Sequence, residues 1–131
     1  MNIIKSKNLD DINNSTIKKR VERAKSGRST EFILLKDGSE AAFLSYEDWS
    51  DESAGFIYEI YVLPNFRGQG LARELLDYAE DNAERLNCSI IRLKPHPLDS
   101  DTKKNRLINW YKSKGYVLKN DNDREVMEKY I

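Results

Sequence analysis

The chain has 131 residues, and 22 Lys and Arg stand against 22 Asp and Glu. The length suits one domain, read here as residues 1–131, that buries a core without staples, and the charge balance leaves no basic field of the kind that attracts nucleic acid. A single cysteine, Cys88, and a single histidine, His96, exclude an intrachain disulfide and the usual zinc ligand sets, while the charged start MNIIKSKNLDD and the lack of a long apolar run read as a soluble cytoplasmic protein without leader or membrane span.

In chain order, MNIIKS reads as a short strand. LDDINNSTIKKRVERAKSG predicts one mostly polar helix stopped by Gly27, with Ile12, Ile17, Val21 and Ala24 as a thin apolar face. TEFILLKDGSEAAFLSYE is a hairpin of β-formers around Asp37-Gly38, a dipeptide suited to the positive φ of a tight turn. GFIYEIYVL is apolar on both faces over 56–63 apart from Glu59, which predicts a strand inside the sheet. After the turn FRGQG, Leu71, Leu75, Leu76, Ala79, Ala83 and Leu86 recur at helical spacing between charged residues. CSIIRLK reads as a second buried strand, followed by the exit PHPLDSD and a helix, TKKNRLINWYKSKG, stopped by Gly115 as a left-handed cap. YVLK and EVMEKYI close the chain as strands around NDND. The order strand, helix, strand in the second half implies a right-handed βαβ unit with parallel strands, and a mixed α/β or α+β fold.

The turn in YVLPNFRGQGLARELL follows a buried strand and opens a helix, so its amides are the unpaired N–H groups at a helix N-terminus. Such a geometry takes anions and pyrophosphates. The dinucleotide fingerprint needs a third small residue where Arg73 stands. The nucleotide P-loop needs Gly-Lys-Ser/Thr where this chain has Gly70-Leu71-Ala72.

What remains resembles the GNAT superfamily of acyl-CoA-dependent N-acyltransferases. Arg67, Gly70 and Ala72 fill that family's Arg/Gln-x-x-Gly-x-Gly/Ala loop, and Val62-Leu63-Pro64 matches the Val-x-Pro that ends the strand before it. About forty residues on, NWYKSKGY is similar to the family's helix bearing a tyrosine, then Gly and an aromatic residue. The resemblance covers roughly residues 31–131. It implies a central, mostly antiparallel sheet flanked by helices, in which strand 56–63 splays from the parallel strand 88–94. It also implies acetyl-CoA as acyl donor, with no metal. Backbone amides of Gly68, Gln69, Gly70, Leu71 and Ala72, with Arg67, would cradle the pyrophosphate, and the pantetheine arm would pair with backbone near Tyr61 and Val62. The family's helix carries an Asn seven residues before its tyrosine. Here that position is Lys104, with Asn105 one residue late, so either contacts the coenzyme.

Acetyl transfer to an amine has two proton problems. An unperturbed lysine-like amine has a pKa near ~10.4, so about one part in a thousand is nucleophilic at neutral pH. The departing thiolate leaves more easily if protonated, and the tetrahedral intermediate needs a donor for its oxyanion, for which the resemblance offers a backbone N–H near Val62. Tyr111 occupies the family's tyrosine position and is the expected general acid, against an ordinary aromatic packing beside Leu107 and Ile108. Glu59 is the one charge in its strand, and an unpaired buried carboxylate is costly. It reads equally as the base that takes the amine proton, since burial strengthens a carboxylate as a base, or as a structural ion pair with Arg92 or Lys94. His96 is the runner-up base.

Between Lys36 and Arg67 there is no basic residue, and SYEDWSDES, residues 45–53, is acidic and aromatic. Placed at the substrate mouth, it would attract a cationic amine on a small molecule or peptide, and reversing Asp48, Asp51 and Glu52 would then raise KM. The expected function is an N-acetyltransferase working by direct attack in a ternary complex. The alternatives are a catalytically silent CoA-binding regulatory module and a plain protein-interaction domain. The partners expected are acetyl-CoA and the amine, with neither nucleic acid nor membrane, and a homodimer stands beside a monomer as an alternative.

Overall fold

The computed structural model describes residues 2–95, 103–121 and 124–131. Strands β1 (Asn2–Lys5), β2 (Ser29–Lys36), β3 (Ser39–Trp49), β4 (Ala54–Val62), β5 (Ile90–Leu93), β6 (Val117–Asp121) and β7 (Arg124–Tyr130) join helices α1 (Ser15–Ala24), α2 (Leu71–Arg85) and α3 (Lys104–Ser113). The sheet runs β1-β2-β3-β4-β5-β7-β6. Every neighbouring pair is antiparallel except β4–β5, the parallel pair connected through α2. The fold is the mixed α/β arrangement with one parallel pair that the sequence implies.

The β2–β3 hairpin turns on Asp37 and Gly38, at φ +51 and +81, between the paired residues Lys36 and Ser39. The expected single helix over 9–27 does not form. A 3₁₀ turn, Leu9–Asp11, is followed by a break, and α1 starts only after Asn14. Two oxygens make that break favourable. The Asn14 side chain accepts the N–H of Ile17 at 3.0 Å, and the Glu40 carboxylate accepts the N–H groups of Asn13 at 3.0 Å and Asn14 at 2.5 Å. Side-chain caps of this kind are worth about 1 kcal/mol. Ile12, Ile17, Val21 and Ala24 are buried as the apolar spacing requires.

α2 buries Leu71, Leu75, Leu76, Ala79 and Ala83 in a core with Phe32, Leu34, Leu44, Ile91 and Leu93, and α3 adds Ile108 and Tyr111 to it. A buried Leu contributes roughly 1.5–3 kcal/mol, so this side carries the larger share of the apolar stabilisation. Leu86, expected in the same stripe, is instead the exposed C-cap of α2. On the other face of the sheet, α1 sets Ile17, Val21 and Ala24 against Ile33, Phe43 and Tyr61. Among the described residues no helix is long and apolar enough to cross a membrane.

Two irregularities in β4 shape the middle of the sheet. Ser45 pairs with Glu59 but Tyr46 pairs with Ile57, which leaves Tyr58 as an extra residue, a β-bulge. Alternation would put Ile57 and Glu59 on one face. The bulge separates them: Ile57 joins the core under α2, and Glu59 turns towards α1. The second irregularity is the partner on the other side. β5 pairs with β4 only from Ala54↔Ile90 to Ile57↔Leu93. Among the described residues, β4 has no strand on that edge from Tyr58 to Val62. The expected splay begins at the bulge.

Candidate functional site

The Gly-rich turn sits at the C-terminal end of β4, beside the unpaired stretch. Gly68 has φ +78 and Gly70 φ +82, both in the left-handed region, and a Cβ on either would meet nothing within 4 Å. The glycines are therefore there for backbone conformation and not for close packing. Gly70 is the N-cap of α2 and carries no side-chain cap. Among the described residues, no amide from Gly68 to Arg73 donates to a protein acceptor, and the first helical bond is Glu74 N–H to Gly70 O at 3.1 Å. Leu71, 1 % exposed, anchors the first turn in the core while residues 68–70 stay exposed. Ala72, half-buried beside it, adds only a methyl group to the rim. Six amides without a protein acceptor, in and before the first turn of a fifteen-residue helix, fit a phosphate group.

Two side chains of the motif have partners. Arg67 turns its Nε back to the carbonyl of Val62 at 2.9 Å, with its guanidinium 5.5 Å from the centre of the Tyr61 ring. Arg20 of α1 stands 3.7 Å over the same ring. The Val62 carbonyl is therefore occupied by Arg67. Gln69 Oε1 accepts a hydrogen bond from Lys36 Nζ at the end of β2.

Glu59 has an ion pair, but not with the residues considered from the sequence. Its side chain is fully buried, Oε2 lies 2.7 Å from Arg20 Nη1, and Oε1 lies 3.4 Å from Arg23 Nη2. Arg92 is committed elsewhere, to Glu128 at 2.7 Å. The cause is the bulge, which aims Glu59 at α1. In register with it stand Ser45 and Glu31, and Ser45 Oγ donates to Glu31 Oε2 at 2.8 Å, so a row of polar side chains crosses β2, β3 and β4 beneath α1.

Tyr111 is buried in the core under α2 and α3, its ring edge-on to Tyr116 at 5.6 Å. Its hydroxyl has no hydrogen-bond partner among the described residues, and burial pushes the phenol well above its ordinary pKa, which keeps it protonated. Tyr116 differs: its hydroxyl donates to Glu80 at 2.9 Å and ties the chain after α3 to α2.

Lys104 opens α3 and pairs with Glu125 at 3.0 Å. Asn105 is exposed beside it and makes no hydrogen bond among the described residues. His96 lies outside the described residues.

The acidic stretch 45–53 is not at the turn. It ends β3 and leads through a 3₁₀ turn, Ser50–Glu52, into the beginning of β4, whereas the Gly-rich turn follows its end. Nine residues of strand separate the two, about 25–30 Å at about 3.3 Å per residue. One of its charges, Asp51, is also engaged. Arg28 pairs with Asp51 at 2.8 Å, holding that carboxyl below its usual range, and stacks 3.7 Å over Trp49. The substrate mouth expected there is not where the cofactor turn lies, because parallel strands present ligands at their carboxyl ends.

The model of the acetyltransferase (GNAT) family matches residues 6–116. The chain belongs to the GNAT acetyltransferase family. None of the curated proteins compared with it matches. Solved structures do, at identities that speak for the fold. A GNAT family acetyltransferase from Elizabethkingia anophelis with acetyl-CoA bound superposes with a TM-score of 0.74 at 13 % identity, over 99 % of this chain and 97 % of that one. A PaiA N-acetyltransferase from Thermoplasma acidophilum in complex with coenzyme A gives 0.69 at 15 % identity over the whole of both chains. The ribosomal-protein-S18-alanine N-acetyltransferase of Escherichia coli gives 0.66 at 24 % identity, over 87 % of this chain and 76 % of that one. The GNAT fold thus extends over the N-terminal third, which the motifs alone left in outline.

Proposed function

We propose that this protein is an N-acetyltransferase that moves an acetyl group from acetyl-CoA to a primary amine by direct attack in a ternary complex. The observation that carries the reading is the row of amides from Gly68 to Arg73 without protein acceptors, set beside the unpaired edge of β4 in a chain of the GNAT family. The amides would bind the pyrophosphate, and the edge near Tyr61 and Val62 would receive the pantetheine arm.

The amine attacks the thioester carbonyl, the new C–N bond forms, the C–S bond breaks, and one proton leaves the nitrogen while one reaches the sulfur. Tyr111, kept protonated by burial, is assigned as donor to the departing thiolate. Glu59 is assigned as acceptor of the amine proton through Oε1, the oxygen with the longer contact, 3.4 Å to the half-exposed Arg23. Oε2 stays with Arg20 and fixes the carboxylate. Asn105, exposed and off the turn, has less support as a coenzyme ligand than the amides. The cationic acceptor loses the support of the acidic stretch, and the acceptor class rests on the amine alone.

Thiol release from acetyl-CoA, measured against polyamines, aminoglycosides, amino acids and peptides, tests the reading. Turnover with one class, and a large fall in kcat on Glu59→Gln, are expected. The two guanidinium contacts on Glu59 favour a second reading, a CoA-binding module without turnover. Stabilisation by CoA, with no thiol released from acetyl-CoA in the presence of any of the amines, would establish that one instead.

A further inference from the structure

Lys36 has no part in the reading above, and it comes from outside the motif. β2 and β4 both run antiparallel to β3, so they point the same way and end at the same edge of the sheet. Lys36 is the last residue of β2, and the Gly-rich turn follows the last residue of β4. The half-buried lysine crosses that edge and donates to Gln69, the residue between the two left-handed glycines.

An ammonium at this spot is unusual electrostatically. The N-terminus of α2 already presents positive partial charge, and the six amides from Gly68 to Arg73 have no protein acceptor. Gln69 is neutral, so it orients the ammonium without offsetting its charge, and it uses one of three N–H donors. Arg67, the motif's own cation, directs Nε away from the turn to Val62.

We infer that Lys36 is a charged ligand of the coenzyme A pyrophosphate, aimed by Gln69, so that a residue of the first hairpin completes a cradle otherwise built from backbone. The inference rests on the acyl-CoA reading of the turn.

Calorimetric titration of the full chain with CoA, dephospho-CoA and pantetheine, on wild type, Lys36→Ala and Lys36→Arg, tests it. Lys36→Ala should weaken CoA and dephospho-CoA alike by about two- to fivefold, the range of a solvent-accessible charge contact. Its effect should shrink at high salt, pantetheine affinity should not change, and Lys36→Arg should recover most of the loss. Equal affinities in all three proteins would overturn the inference. So would a loss confined to CoA, which would move the lysine to the 3′-phosphate, or an equal loss with pantetheine, which would make it structural. Wild-type protein that bound neither CoA nor dephospho-CoA would overturn the acyl-CoA reading itself, and the inference with it.

Discussion

Glu59 and Arg20 meet at 2.7 Å with the carboxylate fully buried, which couples the middle of β4 to α1 across the sheet face. Among the described residues, Arg20→Ala leaves a buried carboxylate with the 3.4 Å contact to Arg23 alone. Loss of one partner of a buried pair costs about 3–5 kcal/mol. Urea unfolding of Arg20→Ala should show that loss, and the double variant Arg20→Met, Glu59→Leu should recover a large part of it.

Tyr111 offers a separation of chemistry from stability. Its hydroxyl has no hydrogen-bond partner among the described residues, so Tyr111→Phe should shift unfolding by less than about 1 kcal/mol. If the phenol protonates the thiolate, kcat should fall by about a hundredfold while KM for acetyl-CoA holds. Stopped assays at saturating amine, beside a urea curve, check both.

Gly70→Ala places a methyl group in open space but in a left-handed backbone, φ +82. The expected cost is about 1–2 kcal/mol of strain. Relief of that strain by turning the N-cap would re-aim the amides of the first turn. CoA affinity should therefore drop more than stability does, as titration and thermal unfolding of the same variant would show.

Three buried tyrosines predict a weakness in alkali. Burial pushes the phenols of Tyr46 and Tyr111 up, and burial together with Glu80 pushes Tyr116 up. A group whose folded pKa is raised contributes stability that is complete below its unfolded value, near ~10, and lost as pH rises beyond it. Denaturation midpoints should hold to about pH 9–10 and then decline. Tyr116→Phe should make the decline shallower.

Reversal of Asp48, Asp51 and Glu52 to lysine should leave KM for amines unchanged. The stretch stands at the other end of β4 from the Gly-rich turn, and Asp51 is already paired with Arg28. A raised KM for cationic amines alone would place the acceptor near it after all.

The features legible in the sequence were those encoded within a few residues. Asp37-Gly38, the Leu and Ala spacing of α2, and the glycines at 68 and 70 each fix their own backbone, and each forms as read. The break before α1 was hidden because one of its capping groups, Glu40, comes from a strand 27 residues away from Asn13. The partner of Glu59 was hidden because the bulge at Tyr58 carries no glycine or proline to announce it, and without it the residue would face the other way. The place of the acidic stretch was readable: strand direction alone puts the β3–β4 connection at the opposite end from the turn after β4. The same rule brings Lys36 to the turn.

The extra residue at Tyr58 also sets how this chain tolerates change in length. Surface turns absorb insertions, because nothing beyond them depends on parity. At Ile57 and Glu59 the faces are fixed from both sides, since each meets a different packed layer. Deleting Tyr58 would leave Ile57 and Glu59 adjacent in a regular ladder, still facing opposite sides, so both packed layers would keep their residues and only the bulge at which the splay begins would be lost. Length changes in the hairpin tips should therefore leave fold and site alone, while loss of Tyr58 should spare the packing on both faces and act on the unpaired edge of β4.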